Sequence, residues 1–265
     1  LRNFQDRKIK VLNVEPAKNI AMISEKAGVE TLNKYFTGKV ADEIVGENGT
    51  AKVVIGTNVF THIDNLDDFL KGVSILLDEK GVFIIEVYYF GDIIKNTSFD
   101  IIYHEHLSYF TVYSLKNLFE RFGLRLFDVK RVPIHGGSLR AFVSKSQAYD
   151  VSSSVDEMIS TEVKLGLNSL DTYNKFTEKI ESVKQKLLSI LTKLKSEGKI
   201  IVGYGAPAKS TTLLNYFGIG RELIEYIVDK STLKQNRYTP GTHIPILSPE
   251  RLLEDKPDYV LVLAW

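Results

Sequence analysis

The chain has 265 residues, no cysteine, and 34 Lys and Arg against 33 Asp and Glu. That length suits two α/β domains with a core each, the balanced charge offers no broad field for nucleic acid or an anionic membrane, and the lack of thiols excludes disulfides and thiolate metal sites or nucleophiles within these residues. No apolar run reaches membrane-spanning length and "LRNFQDRKIK" lacks the apolar core of a signal peptide, so the expected setting is cytoplasmic; the missing initiator methionine and the stop in a strand-like "DYVLVLAW" read as cuts at both ends.

The run "IKVLNVEP" predicts a buried parallel strand, and Pro16 opens a helix over "AKNIAMISEKAG" that Gly28 closes. "AKVVIGTN" predicts a second strand. It is followed by a helix over "NLDDFLKGVSILL", whose Leu66, Phe69, Leu70, Val73, Leu76 and Leu77 keep helical spacing, and, after a lysine-glycine turn, by the strand "GVFIIEV". Alternating strands and helices predict a parallel sheet covered on both faces. The rhythm breaks after Tyr88 in an aromatic-rich stretch without period and resumes at "SLKNLFERFG", a helix capped by Ser114 and closed by Gly123. "LRLFDVKRV" and "SLRAFVSK" then predict two antiparallel edge strands joined through "PIHGG".

Residues 153–197 carry a helical pattern, with Tyr173, Phe176, Ile180, Val183, Leu187, Ile190 and Leu194 at alternating steps of three and four. A long helix packed on its own protein explains this better than an intermolecular coiled coil, because only about three heptads hold strictly. The last third restarts as strand, glycine-containing turn and helix over "KIIVGYGAPAKSTTLLNYFG", followed by the strands "LIEYIVD" and "DYVLVLA". The expected division is 1–150 as a Rossmann-like α/β domain, 151–198 as a helical connector, and 199–265 as a second Rossmann-like α/β domain.

Several residues stand where chemistry is expected. Glu15 ends an early strand, the place where nucleotide-binding folds put an acidic residue on a ribose, although the same carboxylate could simply favour a helix N-terminus. Asn58 and His62 follow another strand, either facing a ligand crevice or serving as turn residues. In "FDIIYHEHLSYFT", His104 and His106 share a face on a strand and diverge on a helix. A metal reading lacks the H-E-x-x-H spacing and needs a third ligand from His62, His135 or His243. A proton-handling reading needs only a histidine tuned by a carboxylate, with tyrosine hydroxyls near a developing oxyanion. In "GYGAPAKST", Gly203 and Gly205 permit a tight turn that aims a helix N-terminus and Lys209 at a diphosphate. Lys234, Gln235, Arg237 and Tyr238 lie in a later loop that could grip a nucleotide.

Taken as an ordered set, "NVEP", "NVFTHIDNLDDF", "IYHEHLSYF", "HGGSLR", "GYGAPAK" and "KQNRYTPGTHIPI" resemble the sugar C-methyltransferases, S-adenosylmethionine-dependent enzymes acting on nucleotide-linked keto-deoxysugars. The resemblance implies a methyltransferase domain followed by a nucleotide-sugar-binding domain. In that family, zinc belongs to an N-terminal part with cysteine ligands, and the cofactor's glycine-rich loop precedes the strand that ends at Glu15; neither is present in this sequence. The resemblance assigns His106 as the base that removes the proton next to the sugar ketone, with Tyr103, Glu105 and His62 as its network and no metal. Glu15 and Asn58 are placed on the cofactor, and Gly203, Gly205, Lys209, Lys234, Arg237 and Tyr238 on the sugar nucleotide. The expected methylation is at C3 beside a 4-ketone, through an enolate. Two other readings remain: an NAD-dependent oxidoreductase with Asp229 on the ribose, and a nucleotide-binding module without catalysis.

Overall fold

The computed structural model describes residues 1–145 and 147–264. They divide into two units, Leu1–Tyr89 with Ser108–Glu162, and Phe90–Leu107 with Val163–Trp265.

The first unit opens with a short helix α1 (Arg2–Gln5), strand β1 (Asn13–Val14), helix α2 (Lys18–Lys26), strand β2 (Thr31–Leu32) and helix α3 (Gly38–Asn48). β1 and β2 pair in parallel. The long apolar run before Glu15 thus yields only two strand residues, because a strand extends only where a neighbour supplies backbone partners, and β2 supplies them only around Asn13 and Glu15. Strand β3 (Ala51–Thr57), helix α4 (Leu66–Leu76) and strand β4 (Leu77–Tyr88) follow. α4 starts where the Asn65 side chain accepts the Asp68 N–H, and its predicted apolar face buries Leu70, Val73 and Leu76. The lysine-glycine pair expected as a turn lies inside β4. There the register jumps from Ala51 opposite Leu77 to Val53 opposite Val82, so the strand bulges rather than ends.

After β4 the chain enters helix α5 (Phe90–Asn96) of the second unit and returns as helix α6 (Val112–Glu120), strands β5 (Leu124–Val132) and β6 (Ser138–Lys145), and helix α7 (Ser153–Lys164). The cap of α6 is Thr111 rather than Ser114. Ser114 is the third helical residue, and the two hydroxyls close a reciprocal capping box. β3, β4, β6 and β5 form a sheet in that order, with β6 antiparallel to both neighbours. Phe60, Phe83 and Phe119 sit in the core on one side of it.

The helical run divides near the boundary of the two units: α7 ends at Lys164, Gly166 takes φ +68°, and helix α8 of the second unit spans Leu170–Ser196. A strict repeat of seven drifts around a straight helix, so Ile180 and Leu191 are buried while Val183 and Ile190 face solvent. Strand β7 (Ile201–Tyr204), helix α9 (Ala208–Phe217), strands β8 (Ile227–Val228), β9 (Arg237–Tyr238) and β10 (Pro245–Leu247), helix α10 (Arg251–Asp255) and strand β11 (Tyr259–Val262) complete the unit. The sheet order is β11-β7-β8-β10-β9, parallel except for β9.

The aromatic stretch without period is therefore part of the second unit. Phe99 stacks on Phe217 of α9 with ring centroids 5.1 Å apart, and both belong to the cluster around Ile201, Leu214, Ile227 and Leu263. Residues 90–107 go with the C-terminal sheet, and the helical run splits after Glu162, because those aromatic side chains find their apolar partners on α9.

Candidate functional site

The segment 103–106 is neither strand nor helix but a turn, in which the His106 N–H donates to the Tyr103 carbonyl at 2.9 Å. That turn separates the two histidines. His106 is 6% exposed, whereas the His104 and Glu105 side chains are 88% and 59% exposed and lie 4.0 Å apart. His106 Nδ1 lies 2.6 Å from the Ile101 carbonyl oxygen. A carbonyl only accepts, so Nδ1 carries the hydrogen and Nε2 keeps the lone pair. The Tyr103 ring covers the imidazole at a centroid distance of 4.1 Å and a tilt of 35°. Ile101 ends a 3-10 turn, Phe99–Ile101, that packs on α9. Of the expected network, the structure thus brings Tyr103 onto His106 and sets Glu105 beside His104.

At the carboxyl end of β7 the two glycines do different work. Gly205 has φ +86°, which favours glycine. Gly203, expected in a tight turn, lies inside β7, where a Cβ would stand 2.7 Å from Ile227 Cγ1. It is a close-packing residue of the sheet. The loop that follows β7 is closed by side chains from the loop after β8. Asp229 accepts from the Ala206 N–H at 2.7 Å and the Ser231 N–H at 2.8 Å, and Lys234 Nζ reaches the Ala206 carbonyl at 2.9 Å and Asp229 at 3.4 Å. Burial pushes the Asp229 carboxyl up, but the two N–H donors and the Lys234 ammonium outweigh it and hold it below the usual aspartate range. Lys209 is in the first turn of α9; burial pushes its ammonium down, and the charge of Asp100 opposes that shift. Arg237 and Tyr238 lie exposed on β9.

In the first unit, Glu15 follows β1 and its Oε1 accepts the Ala17 N–H at 2.8 Å, while Asn33 Nδ2 donates to the Glu15 and Pro16 carbonyls. The carboxylate therefore does guide the chain into α2, whose N-cap Ala17 has no side-chain acceptor. Asn58, just after β3, has φ +55° while its N–H donates to the Glu86 carbonyl. Left-handed backbone at a non-glycine residue on a parallel strand's carboxyl end is a feature of ligand-binding loops. His62 is the exposed last residue of a 3-10 turn, Phe60–His62, whose first two residues are buried. Among the described residues no three His, Asp or Glu side chains gather as a metal site, and no helix is long and apolar enough to cross a membrane.

Glu86 and Glu162 are among the buried carboxylates that escaped the sequence reading. Glu86 is clasped by Arg140 Nη2 at 2.8 Å and Nε at 3.2 Å. Glu162 on α7 accepts the first N–H groups of α6, from Val112 and Tyr113. An acidic and a basic residue at facing positions of neighbouring strands could have exposed the first pair, whereas no local signal marks the second.

The first unit carries polar residues just after parallel strands, and the second carries a buried histidine in a turn beside a mostly parallel sheet, so the chain is a two-unit α/β protein. The chain belongs to the C-methyltransferase family: the model of the C-methyltransferase C-terminal domain matches residues 133–265 and that of a methyltransferase domain matches residues 1–129. The C-methyltransferase NovU of Streptomyces niveus is 40% identical over 266 residues, covering 100% of this chain, which spans 63% of that relative's length. Among solved structures, a SAM-dependent methyltransferase from Anabaena variabilis aligns with TM-score 0.43 and 16% identity over 54% of this chain and 72% of its own. One from Thermotoga maritima aligns with TM-score 0.41 and 16% identity over 54% and 77%. Neither structural likeness bears on the activity.

Proposed function

We propose that the protein transfers a methyl group from S-adenosylmethionine to a carbon next to the ketone of a nucleotide-linked keto-deoxysugar, C3 beside a 4-ketone, with His106 as the base. The observation that carries this reading is the Nδ1 contact of His106 with the Ile101 carbonyl. It leaves Nε2 as the lone-pair nitrogen on an imidazole whose ring is packed in place by Tyr103. A ketone acidifies its neighbouring C–H bond, and a held base within reach removes that proton. Nε2 takes the proton while Nδ1–H keeps its carbonyl partner, so the imidazolium forms without reorientation of the ring. The Tyr103 hydroxyl is the group proposed to donate to the enolate oxygen as charge develops there.

S-adenosylmethionine, when bound, supplies an electrophilic methyl group. The residues present fit it: Glu15 is a carboxylate at a strand end and Asn58 an exposed amide on left-handed backbone. Glu15 would accept from ribose hydroxyls and Asn58 would meet the methionine portion, whereas His62 and Glu105 stay proposed members of the network of the base. In the second unit, Gly205 with Lys209, Lys234, Arg237 and Tyr238 would hold the nucleotide, and Gly203 would serve indirectly by seating β7. The whole protein's sugar, base and partners are part of this proposal, as is the division into a methyltransferase domain, helical connector and nucleotide-sugar domain. The competing oxidoreductase reading needs Asp229 on a ribose, yet Asp229 already accepts from Ala206, Ser231 and Lys234.

The test is proton exchange. With the full-length protein in D2O, a thymidine-diphosphate-linked 4-keto-deoxysugar should take up deuterium at C3 before any methyl donor is added. His106→Gln should slow that uptake by about 10²-fold or more. Uptake at the full rate in His106→Gln would remove His106 as the base.

A further inference from the structure

We propose that Asp229 and Lys234 are positioning residues, which tie both backbone polar groups of Ala206 and so keep the turn between β7 and α9 in its ligand-holding shape before a nucleotide arrives. The turn has little means of fixing itself. Gly205 takes φ +86°, Pro207 has no N–H, and as the N-cap of α9 Pro207 makes no side-chain cap bond. Its partners come from the neighbouring strand and the loop beyond it. The Gly205 N–H donates to the Val228 carbonyl at 2.7 Å, the Ala206 N–H donates to Asp229 Oδ2 at 2.7 Å, and the Ala206 carbonyl accepts from Lys234 Nζ at 2.9 Å. Asp229 and Lys234 lie 23 and 28 residues further along the chain, on a loop that is itself folded. There the Ser231 N–H donates to Asp229 Oδ1 at 2.8 Å and Gln235 Nε2 donates to the Asp229 carbonyl at 2.9 Å.

Charge separates this role from a direct phosphate contact. The Lys234 ammonium stands 3.4 Å from Asp229 Oδ2, and the Asp229 side chain is only 13% exposed. The two charges cancel, so the pair draws in no anion. A Lys234 pulled onto a phosphate would leave the Asp229 carboxylate facing that phosphate and the Ala206 carbonyl without its donor. Lys234 therefore serves the nucleotide through Ala206, and the diphosphate charge falls to Lys209 and Arg237. The binding consequence rests on the nucleotide reading of the second unit; the hold on the turn does not.

The closing experiment takes the full-length protein with thymidine diphosphate as the probe, and sets calorimetric titration beside hydrogen exchange at the Ala206 amide. Lys234→Met and Asp229→Asn should each raise Kd about tenfold. The double variant should bind no worse than the poorer single one, because both changes act on one turn. Exchange at the Ala206 amide should quicken in each. Asp229→Asn carries the decision: removing a negative charge near an anionic ligand tightens binding where charge alone matters, whereas a mis-set turn weakens it. Tighter or unchanged binding in Asp229→Asn, with weaker binding in Lys234→Met, makes Lys234 a direct phosphate contact and overturns the pair, as do losses that add in the double variant. If Asp229→Asn fails to fold, the salt dependence of Kd in Lys234→Met decides. A lost phosphate contact flattens that dependence, and a mis-set turn leaves its slope as in the native protein. Native protein that does not bind thymidine diphosphate, with Ala206 exchange quickened in Lys234→Met, keeps the hold on the turn and discards only the nucleotide; unchanged exchange overturns the hold itself.

Discussion

Two carboxylates, a buried one in the first unit and a partly buried one in the second, are pushed in opposite directions. Glu162 of α7 receives the N–H groups of Val112 and Tyr113 at the start of α6, yet burial outweighs those bonds and the contributions of Tyr89 and Thr111, and its carboxyl stands above the usual range. Asp229 after β8 is also raised by burial, yet its bonds from Ser231 and Ala206 together with the Lys234 ammonium bring it below. Backbone donors are common to both sites. Burial is deeper at Glu162, and the Lys234 ammonium adds to the backbone donors at Asp229; together these differences set the opposite signs. The α6 junction is thus a cap of backbone donors, whereas the loops after β7 and β8 are joined by a charged clasp at the place where a nucleotide is proposed to bind.

The sharpest way to break this contrast is to delete each carboxylate. Asp229→Ala leaves the Ala206 and Ser231 N–H groups and the Lys234 ammonium without their acceptor, and should cost about 3 kcal/mol at neutral pH. Glu162→Ala should cost about 1–2 kcal/mol, because the ionised carboxylate it removes was itself disfavoured by burial. Hydrogen exchange at the Ala206 amide and at the Val112 amide reads the two effects separately in a chain with two units, where one global transition is not assured. Equal losses of protection would mean that the cation does not distinguish the sites.

A smaller effect comes from pH, with the two signs opposed. The folded pKa of Asp229 lies below its unfolded value near 3.8, so its stabilisation is complete above that pH and is lost as the pH falls through the folded value. The folded pKa of Glu162 lies above its unfolded value near 4.5, so its contribution is most favourable below pH 4.5 and declines as the pH rises through the folded value. Carboxyl ¹³C titrations should place the Asp229 midpoint below 3.8 and the Glu162 midpoint above 4.5, and Glu162→Gln should abolish the decline above pH 4.5. A Glu162 midpoint at or below 4.5 would show that the α6 donors alone suffice to keep a buried carboxylate charged.

What the sequence disclosed follows from how far each partner lies along the chain. The helical spacing from Leu66 to Leu77 and the β7–α9 succession are local patterns, and both elements formed where expected. Asp229 was noticed because it follows a strand. Glu162 was not, because its partners are 50 and 49 residues away and nothing periodic connects them. Gly203 and Gly205 look alike in "GYG", and only the side chain of Ile227 on the neighbouring strand shows that one is a packing glycine. "YHEH" was legible as a set of chemical groups but not as a geometry. A turn has no repeat, and the carbonyl that distinguishes His106 from His104 belongs to Ile101, before the motif begins.

Glu15 supplies the gentlest test, since it is a third carboxylate serving a backbone N–H but without deep burial. Its bond to Ala17 needs an acceptor oxygen, not a charge, so Glu15→Gln should leave the stability of α2 within about 0.3 kcal/mol, whereas Glu15→Ala should cost about 0.5–1 kcal/mol. Cofactor binding makes a different demand. A ribose diol bridging to a carboxylate uses two acceptor oxygens, and glutamine offers one, so in the full-length protein both variants should weaken binding of S-adenosylhomocysteine, by about tenfold for a lost charged hydrogen bond. Calorimetric titration beside thermal unfolding separates the two roles. If Glu15→Gln binds as tightly as the native protein, Glu15 is a helix-entry residue alone, and its carboxylate, like that of Glu162, serves only the fold.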